Sequence, residues 1–202
     1  MTQLMKVTGL SSGIGGIAWT LGCFAHNSLP QGCIADACES VQAAPLRGTS
    51  PVAVALFAVA GVMLAVGGVG LLVLARGLGG LGRTGLVAVL MGALGCVLLL
   101  SAGVVSGLVN SDWNGMPGLV VPGVIFLAVG AAILGWVLFR TKVLPTWLAV
   151  LLLCTALLLP FANEQTSRIL LAVPFGLAWF VAGVTLALPG APAALQASRP
   201  AA

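Results

Sequence analysis

Charge is what this sequence has least of: 6% of its 202 residues are Asp, Glu, Lys or Arg, and histidine occurs once. A soluble globular domain carries about a quarter of its residues as charges, so that class is excluded. The acidic residues are four, Asp36, Glu39, Asp112 and Glu164, and all lie between the long apolar runs rather than within them. Carriers coupled to protons or ions place carboxylates, histidines or cations along an intramembrane path. Their near absence here weighs against ion coupling. With only His26 to join the cysteines, and no zinc-type spacing, no metal site or other cofactor is expected. A Cys-x-x-Cys pair is missing too, which weighs against a quinone-linked thiol oxidase.

What the sequence has is hydrophobic length. Apolar residues make up 60% of the chain and recur in runs of roughly 17 to 25, enough to cross a hydrocarbon core of about 30 Å. The runs are too long and too uniform for barrel strands, which alternate polar and apolar positions. Helices satisfy their own backbone in lipid, so the expected fold is an all-α bundle of about six transmembrane helices. The spans read as roughly Val7–Ala25, Val52–Ala75, Leu86–Val109, Leu119–Phe139, Trp147–Ala162 and Ile169–Leu188. Residues 1–190 form one membrane domain on this reading, and 191–202 a disordered cytoplasmic tail.

The sparse charges then set orientation. Placing Lys6 in the cytoplasm puts Arg76, Arg83, Arg140, Lys142 and Arg199 there as well, leaving only Arg47 and Arg168 outside. Such a bias of cations fits the positive-inside rule, with both termini cytoplasmic, and implies a multi-pass plasma-membrane protein. The same orientation sends every acidic residue, and His26, to the outer side. Trp19, Trp113, Trp136 and Trp147 fall near span ends, where amphipathic rings prefer to sit, whereas Trp179 falls mid-span and is expected to pack against another helix. Thr20-Leu21-Gly22-Cys23 is an imperfect lipobox, lacking leucine at Thr20; a retained first span is expected over lipidation at Cys23.

Small residues four apart, Gly9 with Gly13, Ser12 with Gly16 and Gly103 with Gly107, allow close helix approach and are assigned to packing within the chain. Oligomeric state is left open. Similar stretches at Gly61–Gly68 and Gly123–Ala131, each leading to an arginine and another span, hint at two like-oriented hairpins, as in some transporters. Gly77-Leu78-Gly79-Gly80-Leu81-Gly82 matches a dinucleotide-binding pattern by letter, but that pattern works only between a strand and a helix. Here it is a turn between spans.

Any polar chemistry must sit in the outer loops. Cys33 and Cys38 are expected to form a disulfide stapling the long first loop, because thiols outside the cytoplasm tend to be oxidised. Asp112, Glu164 and His26 are the candidates for acid, base or ligand-capturing roles, accompanied by Asn163 and Gln165. Their plain alternative is solvation, with Glu164 and Arg168 supporting the start of the sixth helix. Cys96 and Cys154 read as small packing residues. Ser101, Ser106, Thr155 and Thr185 are expected to bond back to their own helices, and Pro122 and Pro174 to kink theirs.

The segment Leu138-Phe139-Arg140-Thr141-Lys142-Val143-Leu144-Pro145-Thr146-Trp147-Leu148, followed by Asn163-Glu164 and Pro174-Phe175-Gly176-Leu177-Ala178-Trp179, resembles uncharacterised six-span integral membrane proteins of high-GC actinobacteria. The likeness covers about half the chain. It implies a six-helix plasma-membrane fold and brings no activity or site residues.

Three functions fit. A non-enzymatic accessory or interaction subunit of the cell envelope is preferred, given the scarcity of buried ionisable groups. A small carrier or channel for a hydrophobic or neutral solute comes second, and an enzyme acting on lipid or isoprenoid at the outer leaflet third. Expected partners are the lipid bilayer and other membrane proteins, with no nucleic acid. An outward cavity lined by Asp112 and Glu164 would favour carrier or enzyme, and a closed bundle the subunit.

Overall fold

The computed structural model describes residues 2–32, 47–48, 50–77, 82–108 and 115–188. Among them the chain forms six α-helices and no strand: α1 (Thr2–Asn27), α2 (Pro51–Gly77), α3 (Gly82–Leu108), α4 (Met116–Thr141), α5 (Thr146–Ala156) and α6 (Val173–Ala187). Two 3₁₀ segments, Leu159–Phe161 and Ser167–Ala172, join α5 to α6. The 191–202 tail, Cys33, Cys38 and Asp112 lie outside the described residues, as does most of the glycine-rich turn after Gly77.

Local sequence explains where the helices start and stop. Ser50 accepts a hydrogen bond from the Ala53 amide at 3.4 Å and Pro51 opens α2, a position where proline's missing N–H is harmless. At the other end of α4, Lys142 adopts a left-handed conformation with φ 55° and caps the helix. From there its ammonium reaches Thr146 Oγ1 at 3.2 Å and lies 4.5 Å from the Phe139 ring centroid.

Five helical segments are long and apolar enough to cross a membrane, the last being Ser167–Ala187, in which a 3₁₀ segment precedes α6. The fifth expected span is shorter, Thr146–Phe161, and only its first 11 residues are α-helical. At 1.5 Å per residue those cover about 16 Å, roughly half the hydrocarbon core. Pro160 supplies the reason, since it has no amide to give to the carbonyl four residues before it. Pro174 does not kink a continuous helix; it sits in the first turn of α6. Pro122 is the proline inside a helix, in α4.

On α1, apart from the buried Met5 and Trp19, size and not polarity separates the two faces. Along α1 the large residues Val7, Leu10, Ile14, Ile17, Leu21 and Phe24 recur at three- and four-residue spacing and are exposed, while Thr8, Ser11, Ser12 and Cys23 are buried. Lipid solvates the large face as well as protein would, so contact is decided by how closely backbones can approach. A Cβ added to Gly9 would lie 2.7 Å from the Gly183 carbonyl oxygen of α6, and one on Gly67 of α2 would lie 2.5 Å from Ser12 Oγ. Gly16 and Gly176 abut in the same way. The small-residue motifs of α1 are thus used within the chain, against α6 and α2 both. Gly103 is different, meeting Val54 at an ordinary 3.6 Å.

A second glycine seam joins α3 to α4, where a Cβ on Gly130 would come 2.7 Å from the Ala88 carbonyl and one on Gly95 the same distance from that of Gly123. Between the seams, Trp19 of α1 stands edge-on to Phe57 of α2 and Phe175 of α6, both at 5.3 Å, and Phe175 meets Trp179 at 6.2 Å. Trp19 is therefore a core residue and not an interfacial anchor. Its indole donates to the Ala172 carbonyl at 2.9 Å, which satisfies the N–H inside the bundle. Trp136 and Trp147 are exposed, Trp136 with the Arg140 guanidinium 5.7 Å from its ring. Thr155 and Thr185 bond back to the carbonyls of Leu151 and Val181. Cys154 is exposed rather than packed, and Cys23 of the lipobox-like stretch is fully buried in an unbroken α1.

Candidate functional site

The contacts between neighbouring helices run antiparallel, so His26, the start of α2, the end of α3, the start of α4 and the α5–α6 connection gather at one end of the bundle. A cavity of about 190 Å³ opens among them. Phe57 and Gly61 of α2, Cys96 and Leu99 of α3, and Val124 and Leu127 of α4 form its apolar walls, with Trp19 and Ala172 beneath. A cavity of about 150 Å³ accepts benzene and drug-sized pockets begin near about 300 Å³, so this one suits a single ring or a short chain rather than a two-chain lipid.

One end of the cavity is polar, formed by His26, Arg47, Glu164 and Gln165. Arg47 organises it. Its side chain is 5% exposed and held from three directions. Nε donates to the Pro30 carbonyl at 3.0 Å, and Nη1 to the carbonyls of Glu164 at 3.0 Å and Thr166 at 3.2 Å. Its backbone N–H donates to Gln165 Oε1 at 2.6 Å. Gly32 adds a backbone bond to the Gln165 carbonyl at 2.9 Å, so both ends of the long loop are tied to the α5–α6 connection. The connection can offer these carbonyls because Pro160 and the short 3₁₀ turns keep it out of the α-helical ladder, where the acceptors would be consumed. Thr166 begins the second turn by accepting the Arg168 amide, the support expected of Glu164 with Arg168.

The Glu164 carbonyl takes a second donor, His26 Nε2 at 3.1 Å. Since a carbonyl only accepts, Nε2 carries a proton in this contact. The Glu164 carboxyl is half-buried; burial raises its pKa above the ordinary carboxylate range, and a hydrogen bond from the Gln165 side chain opposes the rise. Burial lowers the Arg47 guanidinium from its ordinary value, but that value is so high that the group stays charged at neutral pH. Arg47 Nη2 has no hydrogen-bond partner. Leaving a buried donor unmade costs about 1–3 kcal/mol, and more when the group is charged.

Of the sequence candidates, then, the structure brings Glu164 and His26 to one cavity, with Gln165, and Asp112 lies outside the described residues. Three or more His, Cys, Asp or Glu side chains do not converge anywhere among the described residues. Arg47 is the site residue that sequence reasoning missed. Its one signal was position: it is one of two cations that the orientation leaves among the acidic loops.

No family model, curated protein or solved structure matches this chain. A second, smaller void of about 50 Å³ lies deeper, among α2, α3, α4 and α6, and shares Cys96 and Leu127 with the first. Trp179, whose indole Nε1 has no partner, lines it.

Proposed function

We propose that this chain is a multi-pass plasma-membrane protein that binds a small apolar or amphiphilic molecule in the outer half of its bundle and acts as a carrier for it. The observation that supports this is the cavity itself: apolar walls, one polar end, and a size suited to one ring or chain. In the orientation set by the positive-inside rule, with both termini cytoplasmic, the polar end faces the outer surface. A closed bundle would speak for an accessory subunit. The deeper void beyond Cys96 and Leu127 speaks for carriage, since it continues the apolar space toward the middle of the membrane.

A binding role also fits the chemistry better than catalysis does. His26 Nε2 and Arg47 Nε and Nη1 are spent on main-chain carbonyls, which is how residues hold a site open rather than how they move protons on a substrate.

Gly61 provides the test. It lines the cavity, and a Cβ there would meet Cys96 and Leu100 at an ordinary 3.6 Å, so Gly61→Leu fills space without breaking a helix seam. The wild type in lipid nanodiscs, examined by native mass spectrometry with a panel of short-chain alcohols, acids and monocyclic terpenes, is expected to hold one molecule that Gly61→Leu does not. In proteoliposomes the same molecule is expected to cross faster than through empty vesicles. Equal retention by both proteins, or by neither, would remove the reading.

A further inference from the structure

The binding reading leaves the ligand's head group unnamed, and Arg47 narrows it. We infer that the cavity takes a single-chain amphiphile with an anionic head group, a carboxylate or a phosphate, that sits against the Arg47 guanidinium. The inference rests on the proposed function and specifies its ligand.

Three observations carry it. First, Arg47 is 95% buried by its 5% exposure, and it lines the cavity. Its Nε and Nη1 are fixed by the carbonyls of Pro30, Glu164 and Thr166, and Nη2 is buried without a partner, so the cation stands in the cavity wall with no ion pair among the described residues. Second, the groups that fix it are neutral main-chain oxygens. They orient the guanidinium without cancelling its charge, which leaves that charge to attract an anion. Third, the apolar walls leave room for one chain below the polar end, and two acyl chains would not fit.

The other groups at this end are compatible with an anion. Among the described residues Glu164 is the one acidic side chain lining the cavity, and burial raises its pKa, which lessens the charge it sets against an anion. His26 already donates through Nε2 to the Glu164 carbonyl. Gln165 accepts from the Arg47 backbone and donates to the Glu164 carboxyl, joining the two residues without adding charge.

Three probes of equal chain length separate the possibilities: decanoate, decyl phosphate and decanol, each titrated against the full chain in nanodiscs of zwitterionic lipid. Decanoate or decyl phosphate is expected to bind about tenfold more tightly than decanol, through attraction to the uncompensated Arg47 charge. Which of the two binds better tells a carboxylate site from a phosphate site. Arg47→Met is expected to bring the acid down to the alcohol, and Arg47→Lys to keep part of the preference. Should Arg47→Met not fold, the comparison of probes on the wild type still decides. Glu164→Gln is expected to bind the anions at least as well as wild type. Decanol binding as tightly as both anions, with Gly61→Leu still abolishing all three, would overturn the anion inference and leave the cavity reading standing. Loss of anion binding in Glu164→Gln would also overturn it. If none of the probes binds, or Gly61→Leu binds all of them unchanged, both readings fall together.

Discussion

Single residues in this bundle are constrained by reach and solvation more than by hydrophobicity. Glu164 illustrates the second. Burial raises its folded pKa, so the native state holds the proton more tightly than the unfolded chain does. Stability is then fully present below the ordinary glutamate range and is lost as pH rises through the raised value. Thermal unfolding in neutral detergent, followed from pH 4 upward, is expected to show a falling melting temperature over that window. Arg47, His26 and Arg168 are the other titratable groups at this end among the described residues, so the control is Glu164→Gln, which should flatten the slope while leaving their contributions in place. A slope unchanged by that substitution would show that the carboxyl is not the titrating group.

Glycine shows the constraint of reach. At Gly130 a side chain would collide with the α3 backbone, and backbone cannot rotate aside as a side chain can. Gly130→Leu is expected to destabilise the bundle by at least about 1–3 kcal/mol. At Gly61 the neighbours are side chains at 3.6 Å beside open space, so the same change should be much milder. Comparing the two by denaturation in mixed micelles checks it, and equal losses would contradict the seam assignment. Spacing in the sequence marked Gly9, Gly13, Ser12 and Gly16 as candidates for close contact, but not Gly130. It did not reveal which partner each would meet, because Gly9 and Ser12 lie three apart on one helix and yet serve α6 and α2 respectively. Arg47 was less legible still. Its burial depends on carbonyls 117 and 119 positions away, and no local pattern announces an arginine that will be wrapped by a distant turn.

At the scale of elements, the long spans were readable because lipid demands a minimum apolar length, and five helical segments meet it. The fifth was drawn to Ala162 by hydropathy alone, but its α-helix ends at Ala156. Hydropathy is blind to the amide that Pro160 lacks, and the site depends on that interruption. The freed main chain from Asn163 to Thr166 supplies the acceptors for His26 and Arg47. Pro160→Ala is expected to let α5 run on and withdraw them. Its direct effect on stability should be modest, about 0.4–1 kcal/mol through the unfolded chain, whereas binding of the decyl probe preferred by the wild type should fall several-fold. Binding that survives intact would mean that the turn holds its shape without the proline.

For the whole molecule the decisive quantity is which end faces out, since the proposed route of the ligand reverses with it. Helix length and composition place the chain in a membrane but carry no sign; the sign comes from the cations, of which Lys6, Arg76, Arg83, Arg140 and Lys142 lie toward the end opposite His26. Two exposed positions report on the two ends. Ser28 follows α1 at the His26 end, and Thr146 opens α5 at the other. In a background with the five native cysteines replaced by serine or alanine, Ser28→Cys is expected to react with a membrane-impermeant maleimide on intact cells. Thr146→Cys should react only after lysis. The native pair can then be read separately: Cys33 and Cys38 labelling on intact cells only after reduction would establish the disulfide expected in the long loop. If Thr146→Cys were the one labelled on intact cells, the polar end of the cavity would face the cytoplasm. Arg47 would then receive its anion from the inner leaflet, and carriage would run outward.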